Sequence, residues 1–164
     1  MDYIIRKMEE DEYPLLRDFL YDAIYVPEGT IPPKRSIVDA PELQLYIAGF
    51  GSQKDDNALI AEVDGKAAGA VWVRIMNDYG HVDDETPSLA ISVGKEYRGL
   101  GIGTALMNTM ILTLRKCGYQ RVSLSVQKTN YAAKMYQKLG FKICGENEEE
   151  YIMIYERGLN EKRS

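Results

Sequence analysis

Apolar and polar positions change period several times along this chain, and each change marks an element. The stretch Tyr3-Ile4-Ile5-Arg6-Lys7-Met8 is short and rich in β formers, and the acidic residues 9–12 behind it suit the first turn of a helix, where the dipole favours negative charge. A strand and then a helix are predicted. Leu15, Leu16, Phe19, Leu20 and Ala23 recur at helical spacing until Pro27 ends the pattern. Residues 27–34 hold too much proline and glycine for a helix and read as a surface loop. A short helix from Asp39 follows, with Pro41 in its first turn and Leu43, Tyr46 and Ile47 facing in.

Two β-rich runs, 58–63 and 67–75, are separated by Asp64-Gly65-Lys66, a hairpin signal that makes them antiparallel neighbours. Past the polar loop 77–87, a third apolar run (88–93) leads into a glycine-rich turn and a long helix over about 101–117, stopped by Gly118. Val122, Leu124 and Val126 then alternate along a strand, Asn130 opens a helix reaching Lys138, and Gly140 ends it. Strands near 141–145 and 151–157 close the pattern, with the acidic residues Glu146, Glu148, Glu149 and Glu150 forming a solvated turn between them. The order β-α-α-β-β-β-α-β-α-β-β predicts an α/β fold of α+β type, a mixed sheet flanked by helices, in one domain over residues 1–157 with a polar, frayed tail at 158–164.

Composition narrows the function more than the fold. With 164 residues, 45% apolar and 27% charged, the chain has the profile of one ordinary globular domain able to build a core without disulfides or structural metal. Cys117 and Cys144 form no CxxC, and a single histidine rules out a Cys/His zinc set, so no metal is expected and both thiols are read as reduced and mostly buried. The net charge of −5 argues against nucleic acid and against an anionic membrane as partners. The N-terminus lacks the pattern of a signal peptide, and no apolar run reaches about 18 residues, so the expected compartment is cytoplasmic.

The segment Tyr97-Arg98-Gly99-Leu100-Gly101-Ile102-Gly103-Thr104 stands between a strand and a helix, where backbone amides and the helix N-terminus can converge on an anion. A tight turn that merely lets strand and helix pack closely is the competing reading. A dinucleotide GxGxxG would need glycine at Thr104, and a P-loop needs Gly-Lys-Ser/Thr, so neither motif is present. At this point the chain resembles the GNAT superfamily of acyl-CoA-dependent N-acetyltransferases, whose Arg/Gln-x-x-Gly-x-Gly/Ala motif is matched by residues 98–103. A second family signature is matched by Asn130, Ala133, Tyr136 and Leu139-Gly140-Phe141, so the likeness covers nearly the whole chain and implies a mixed, mostly antiparallel central sheet.

The resemblance implies acetyl-CoA as cosubstrate, its pyrophosphate held by the amides of Arg98, Gly99, Leu100, Gly101, Ile102, Gly103 and Thr104, and its pantetheine arm paired with Ile91, Ser92 and Val93. Arg98 adds charge near phosphate or stays a solvated turn residue. Asn130, one turn before Ala133, touches the arm or only caps its helix. One departure is Lys95, where such turns often carry proline. Tyr136 takes the position of the general acid that protonates the leaving thiolate, although among twelve tyrosines a packing role is the competing reading. An amide near Val93 would receive the thioester oxygen. Members resembling this chain often carry a glutamate on the strand before the turn, yet Leu89, Ala90, Ile91 and Ser92 supply none, which leaves His81 and Glu85 as candidate bases, each also readable as a solvated loop residue. The expected function is transfer of an acetyl group to a primary amine of a small molecule or peptide, with loops 25–38 and 77–87 as acceptor walls. Two other classes compete: a non-catalytic acyl-CoA-binding sensor, which would have no use for Tyr136, and a nucleotide-binding structural protein, whose base-recognition motif is missing. A homodimer is common in such proteins, and no exposed apolar segment demands one.

Overall fold

The computed structural model describes residues 2–156, so the expected tail at 158–164 and the Arg157 end of the last strand lie outside the described residues. Seven strands form one sheet, β1 (Ile4–Lys7), β2 (Asn57–Val63), β3 (Lys66–Arg74), β4 (Ser88–Val93), β5 (Arg121–Gln127), β6 (Lys142–Glu146) and β7 (Glu150–Glu156), in the spatial order β1-β2-β3-β4-β5-β7-β6. The helices are α1 (Leu16–Ala23), α2 (Pro41–Gln44), α3 (Ile102–Lys116) and α4 (Ala132–Leu139), with 3-10 turns at Glu10–Leu15, Arg35–Asp39 and Lys95–Tyr97. The element order is the predicted one.

Alternation along the strands divides the core into two layers. Val71 and Val73 of β3 and Val122, Leu124 and Val126 of β5 face α3, where Leu106, Met107 and Met110 are fully buried. Ala70 and Trp72 of β3 face the other way, onto Leu16 and Leu20 of α1 and Val38. The β2/β3 hairpin turns through Asp64 and Gly65 with φ of 51° and 78°, the left-handed pair that a two-residue turn of this twist requires.

Three local expectations are corrected. The acidic residues after β1 begin a 3-10 turn, because Pro14 lies within it and lacks the amide that an α-helical ladder needs; α1 starts only at Leu16, and Leu15 is 38% exposed. Asn130 precedes α4 rather than opening it, its Oδ1 accepting from the Ala132 amide at 2.9 Å. Cys117 and Cys144 are both exposed: Cys117 ends α3 ahead of Gly118, and Cys144 lies on β6, which among the described residues pairs only with β7 at the edge of the sheet. Among the described residues, no helix is long and apolar enough to cross a membrane.

Candidate active site

The glycine-rich turn follows directly from the end of β4. Gly99 and Gly101 both adopt left-handed backbone, with φ of 78° and 83°, and Gly101 leads into α3. A Cβ added at either position would meet nothing within 4 Å, so the bare backbone faces open space. Successive amides in this conformation, continued by the first turn of a 15-residue helix, form an anion-binding concavity. Arg98 is exposed and folds back, its Nε donating to the Val93 carbonyl at 3.2 Å. Ile102 is buried in the core beneath the turn, and Leu100 and Thr104 stand on the surface.

Below the turn the sheet opens. β4 and β5 are the parallel neighbours of the sheet, and their ladder consists of Ser88↔Ser123, where the Ser123 amide donates to Pro87 at 3.0 Å. From Leu89 to Val93 on one side and Leu124 to Gln127 on the other the strands diverge, leaving a slot edged by main-chain groups. Ile91, Ser92 and Val93 border it, and the buried Ser92 Oγ has no hydrogen-bond partner among the described residues. α4, which follows β5, brings Ala133 and Tyr136 to this region, both almost wholly buried. Gly140, left-handed at φ 110°, stops α4 so that the Phe141 amide donates to the Tyr136 carbonyl at 3.0 Å, and the two rings lie 6.0 Å apart. Burial pushes the Tyr136 phenol up to about 12, so it stays protonated across the neutral range.

The face of the sheet towards α1 and α2 carries a polar constellation that the sequence did not announce. Asp78, in the loop between β3 and β4, accepts from the Tyr46 hydroxyl at 2.9 Å and from Ser88 Oγ at 2.8 Å. Burial and the Asp78 charge push the Tyr46 phenol well above its ordinary range, with Ser125 and Glu150 also within reach. Glu150, at the start of β7, is itself held above the usual carboxylate range by burial and by Glu149 and Asp78, and its carboxylate receives a long 3.5 Å contact from Gln127. The segment bearing Tyr46 is clamped from below. Trp72 Nε1 donates to the Tyr46 carbonyl at 3.2 Å, and Arg74 donates to the carbonyls of Leu45 and Ala48 at 3.1 and 2.8 Å while paired with the buried Asp56 at 2.9 Å. Tyr25 bridges from the loop after α1 to the Thr129 carbonyl at 3.2 Å.

Residues 17–141 match the model of the acetyltransferase (GNAT) family. The chain belongs to the GNAT family. An uncharacterized N-acetyltransferase of Methanocaldococcus jannaschii is 30% identical over 113 residues, covering 66% of this chain and 67% of that protein. A probable N-acetyltransferase, camello, of Xenopus tropicalis is 39% identical over 84 residues, which are 51% of this chain and only 37% of that protein. The GNAT chain thus spans well under two thirds of the camello relative's length. Among solved structures, a GNAT acetyltransferase of Streptococcus pneumoniae superposes with a TM-score of 0.70 at 26% identity, covering 96% of this chain and all of that one. The PaiA N-acetyltransferase of Thermoplasma acidophilum, solved with coenzyme A, gives 0.71 at 22% identity, covering 96% of this chain and 100% of that one.

Within this GNAT chain the expected site residues fall into two groups. Ile91, Ser92 and Val93 border the slot and the turn 98–104 follows them, Ala133 and Tyr136 lie in the core cluster against which Ile91 and Val93 pack, and Asn130 caps the approach to α4. Glu85 does not join them. It precedes β4, whereas the glycine-rich turn follows that strand of six residues, a separation of about 20 Å along the sheet. Glu85 instead lines a cavity of about 840 Å³ with Thr86, Tyr119, Arg121 and Lys142. The His81 amide donates to the Asp78 carbonyl at 3.1 Å and its Nε2 lies 3.3 Å from Asp84, while the buried Nδ1 has no partner among the described residues. The sequence reading missed Asp78, Ser125 and Glu150 as site residues and placed Tyr46 only as an inward-facing side chain. Glu150 was concealed in an acidic stretch, Asp78 in a loop rich in acids, and neither has a local pattern that singles it out.

Proposed function

We propose that this chain is an N-acetyltransferase that moves an acetyl group from acetyl-CoA to a primary amine of a small molecule or peptide by direct attack, with Tyr136 as general acid. The observation that carries the reading is the juxtaposition of a glycine-built anion cradle, a slot between diverging strands and a buried, protonated phenol beside them. The residues fit coenzyme A: the open Cβ positions of Gly99 and Gly101 leave room for a pyrophosphate close to backbone amides, and the slot edges offer main-chain groups to an amide-rich arm. Acetyl-CoA supplies the activated acyl group. Arg98 adds positive charge at the mouth, Ile91 to Val93 orient the arm, and an amide near Val93 faces the thioester oxygen.

Tyr136 then holds a proton for the sulfur as the C–S bond breaks. Burial is what shifts the phenol. The names of the relatives speak of N-acetyl transfer, and an N-alpha-acetyltransferase of Sulfurisphaera tokodaii, 35% identical over 92 residues, directs attention to peptide N-termini among the amines.

The test pairs calorimetric titration of coenzyme A with thiol release from acetyl-CoA in the presence of a panel holding free-N-terminal peptides, polyamines, amino acids and aminoglycosides. Binding of coenzyme A with amine-dependent thiol release is the expected result. Binding with no acceleration by any amine would convert the reading to a sensor module, and absence of binding would overturn it altogether.

A further inference from the structure

The strand that precedes the glycine-rich turn carries no carboxylate, since Leu89, Ala90, Ile91 and Ser92 are all uncharged. Carboxylates reach the same region from elsewhere. Ser125 of β5 and Glu150 of β7 lie on the face of the sheet opposite Val122, Leu124, Tyr151 and Met153, which pack against α3 and α4. Glu150 pairs in register with Gln127, two residues along β5 from Ser125, and β5 is one edge of the slot. Across that edge, Asp78 is fixed by Tyr46 and Ser88, the latter at the apex of the slot. The two acids differ in what they can still do. Both oxygens of Asp78 already accept hydrogen bonds, whereas among the described residues the half-buried Glu150 carboxylate accepts only the 3.5 Å contact from Gln127.

An independent feature of this face points to a guest. Ser88, Ala90 and Ser92 alternate onto it from β4, and Ser92 is only 6% exposed with an Oγ that has no partner among the described residues. A buried hydroxyl left without a partner costs free energy that a polar ligand on this strip would recover. Ala90, between the two serines, is only partly buried and packs against the core layer under α1.

We propose, building on the acetyltransferase reading above, that the cationic amine of the acceptor enters on this face between Asp78 and Glu150, and that Glu150 is the base that deprotonates it. The acceptor arrives as R–NH3⁺ and gives one proton to the Glu150 carboxylate. The neutral nitrogen forms the C–N bond while the C–S bond breaks. The second proton that nitrogen loses balances the one taken up at sulfur, and one proton per turnover leaves Glu150 for solvent. Asp78 holds the ammonium beside the Tyr46 hydroxyl that it already accepts from. The burial and neighbouring carboxylates that raise the proton affinity of Glu150 suit it to this exchange.

The test uses propylamine as a minimal acceptor at saturating acetyl-CoA, read by thiol release. Glu150→Gln should lower kcat/KM for propylamine by roughly 10²–10⁴-fold, the range of a general base, with coenzyme A affinity and Tm unchanged and partial rescue in Glu150→Asp. Glu148→Gln, an exposed neighbour on the same turn, is the control and should stay within about twofold of the parent. Asp78→Asn should raise KM for propylamine more than it lowers kcat. If the parent accelerates thiol release with propylamine and Glu150→Gln does so equally well, Glu150 is not the base and the acetyltransferase reading stands alone. If neither propylamine nor any amine of the panel accelerates release by the parent, both readings fall together.

Discussion

Removing one oxygen from Tyr136 separates chemistry from packing. Tyr136→Phe keeps the ring that lies 6.0 Å from Phe141 and fills the end of the α3/α4 core. Burial is what shifts the phenol, and the Tm of the variant should stay within about 2 °C of the parent. The size of the kinetic effect follows from the raised proton affinity. Burial holds the phenol protonated well past neutral pH, so it reaches the leaving sulfur as a donor. The hydroxyl stays protonated until the C–S bond breaks, and its hydrogen bond to the charge developing on sulfur precedes the proton it gives. Such a bond contributes about 1.5–3 kcal/mol. The turnover number should fall by roughly 10–150-fold, at the low end of what a general acid supplies. The assay measures kcat by thiol release and the coenzyme A Kd by calorimetry on one preparation. A kcat within twofold of the parent, or a Kd that rises as far as kcat falls, would remove Tyr136 from the proton path.

Gly101→Ala should weaken coenzyme A binding and also cost about 1–2 kcal/mol of stability, because its φ of 83° is left-handed; unchanged affinity in the folded variant would contradict the cradle. Arg74→Met leaves the buried Asp56 without its cation, held by the Gly51 and Gln53 amides, and frees the carbonyls on either side of Tyr46, so urea denaturation should show a loss of about 3–5 kcal/mol, and a loss under 1 kcal/mol would refute the clamp. The phenols of Tyr136 and Tyr46 are both raised by burial above their unfolded value of 10.0, so the stability they contribute is complete below pH 10 and is lost as pH rises from 10 towards 12 and beyond. Thermal melts between pH 8 and pH 11 should therefore show a falling Tm above about pH 10 that is shallower in Tyr136→Phe, and parallel curves would count against the shift.

What the sequence determined by itself is what short-range physics encodes. Asp64-Gly65 specifies a hairpin because two adjacent left-handed residues suit few other sequences, and Val122, Leu124 and Val126 specify a strand with one buried face because the side-chain period is two. The glycines of the turn announce open backbone in the same local way, and Leu139-Gly140-Phe141 announces the stop after Tyr136. Tertiary structure alone decided the rest. The slot exists because β4 and β5 pair at Ser88 and Ser123 and then part, an outcome of sheet twist and of the helices packed on either face, with no residue in either strand that marks it. Cys117 and Cys144 look like core residues by type, yet a helix end and an edge strand leave them in solvent. Tyr46 and Asp78 are 32 residues apart, and Glu150 comes from the opposite side of the sheet order. Hydrogen bonds and charges between such distant positions carry no periodicity, so their meeting over Ser125 is written only in the folded chain.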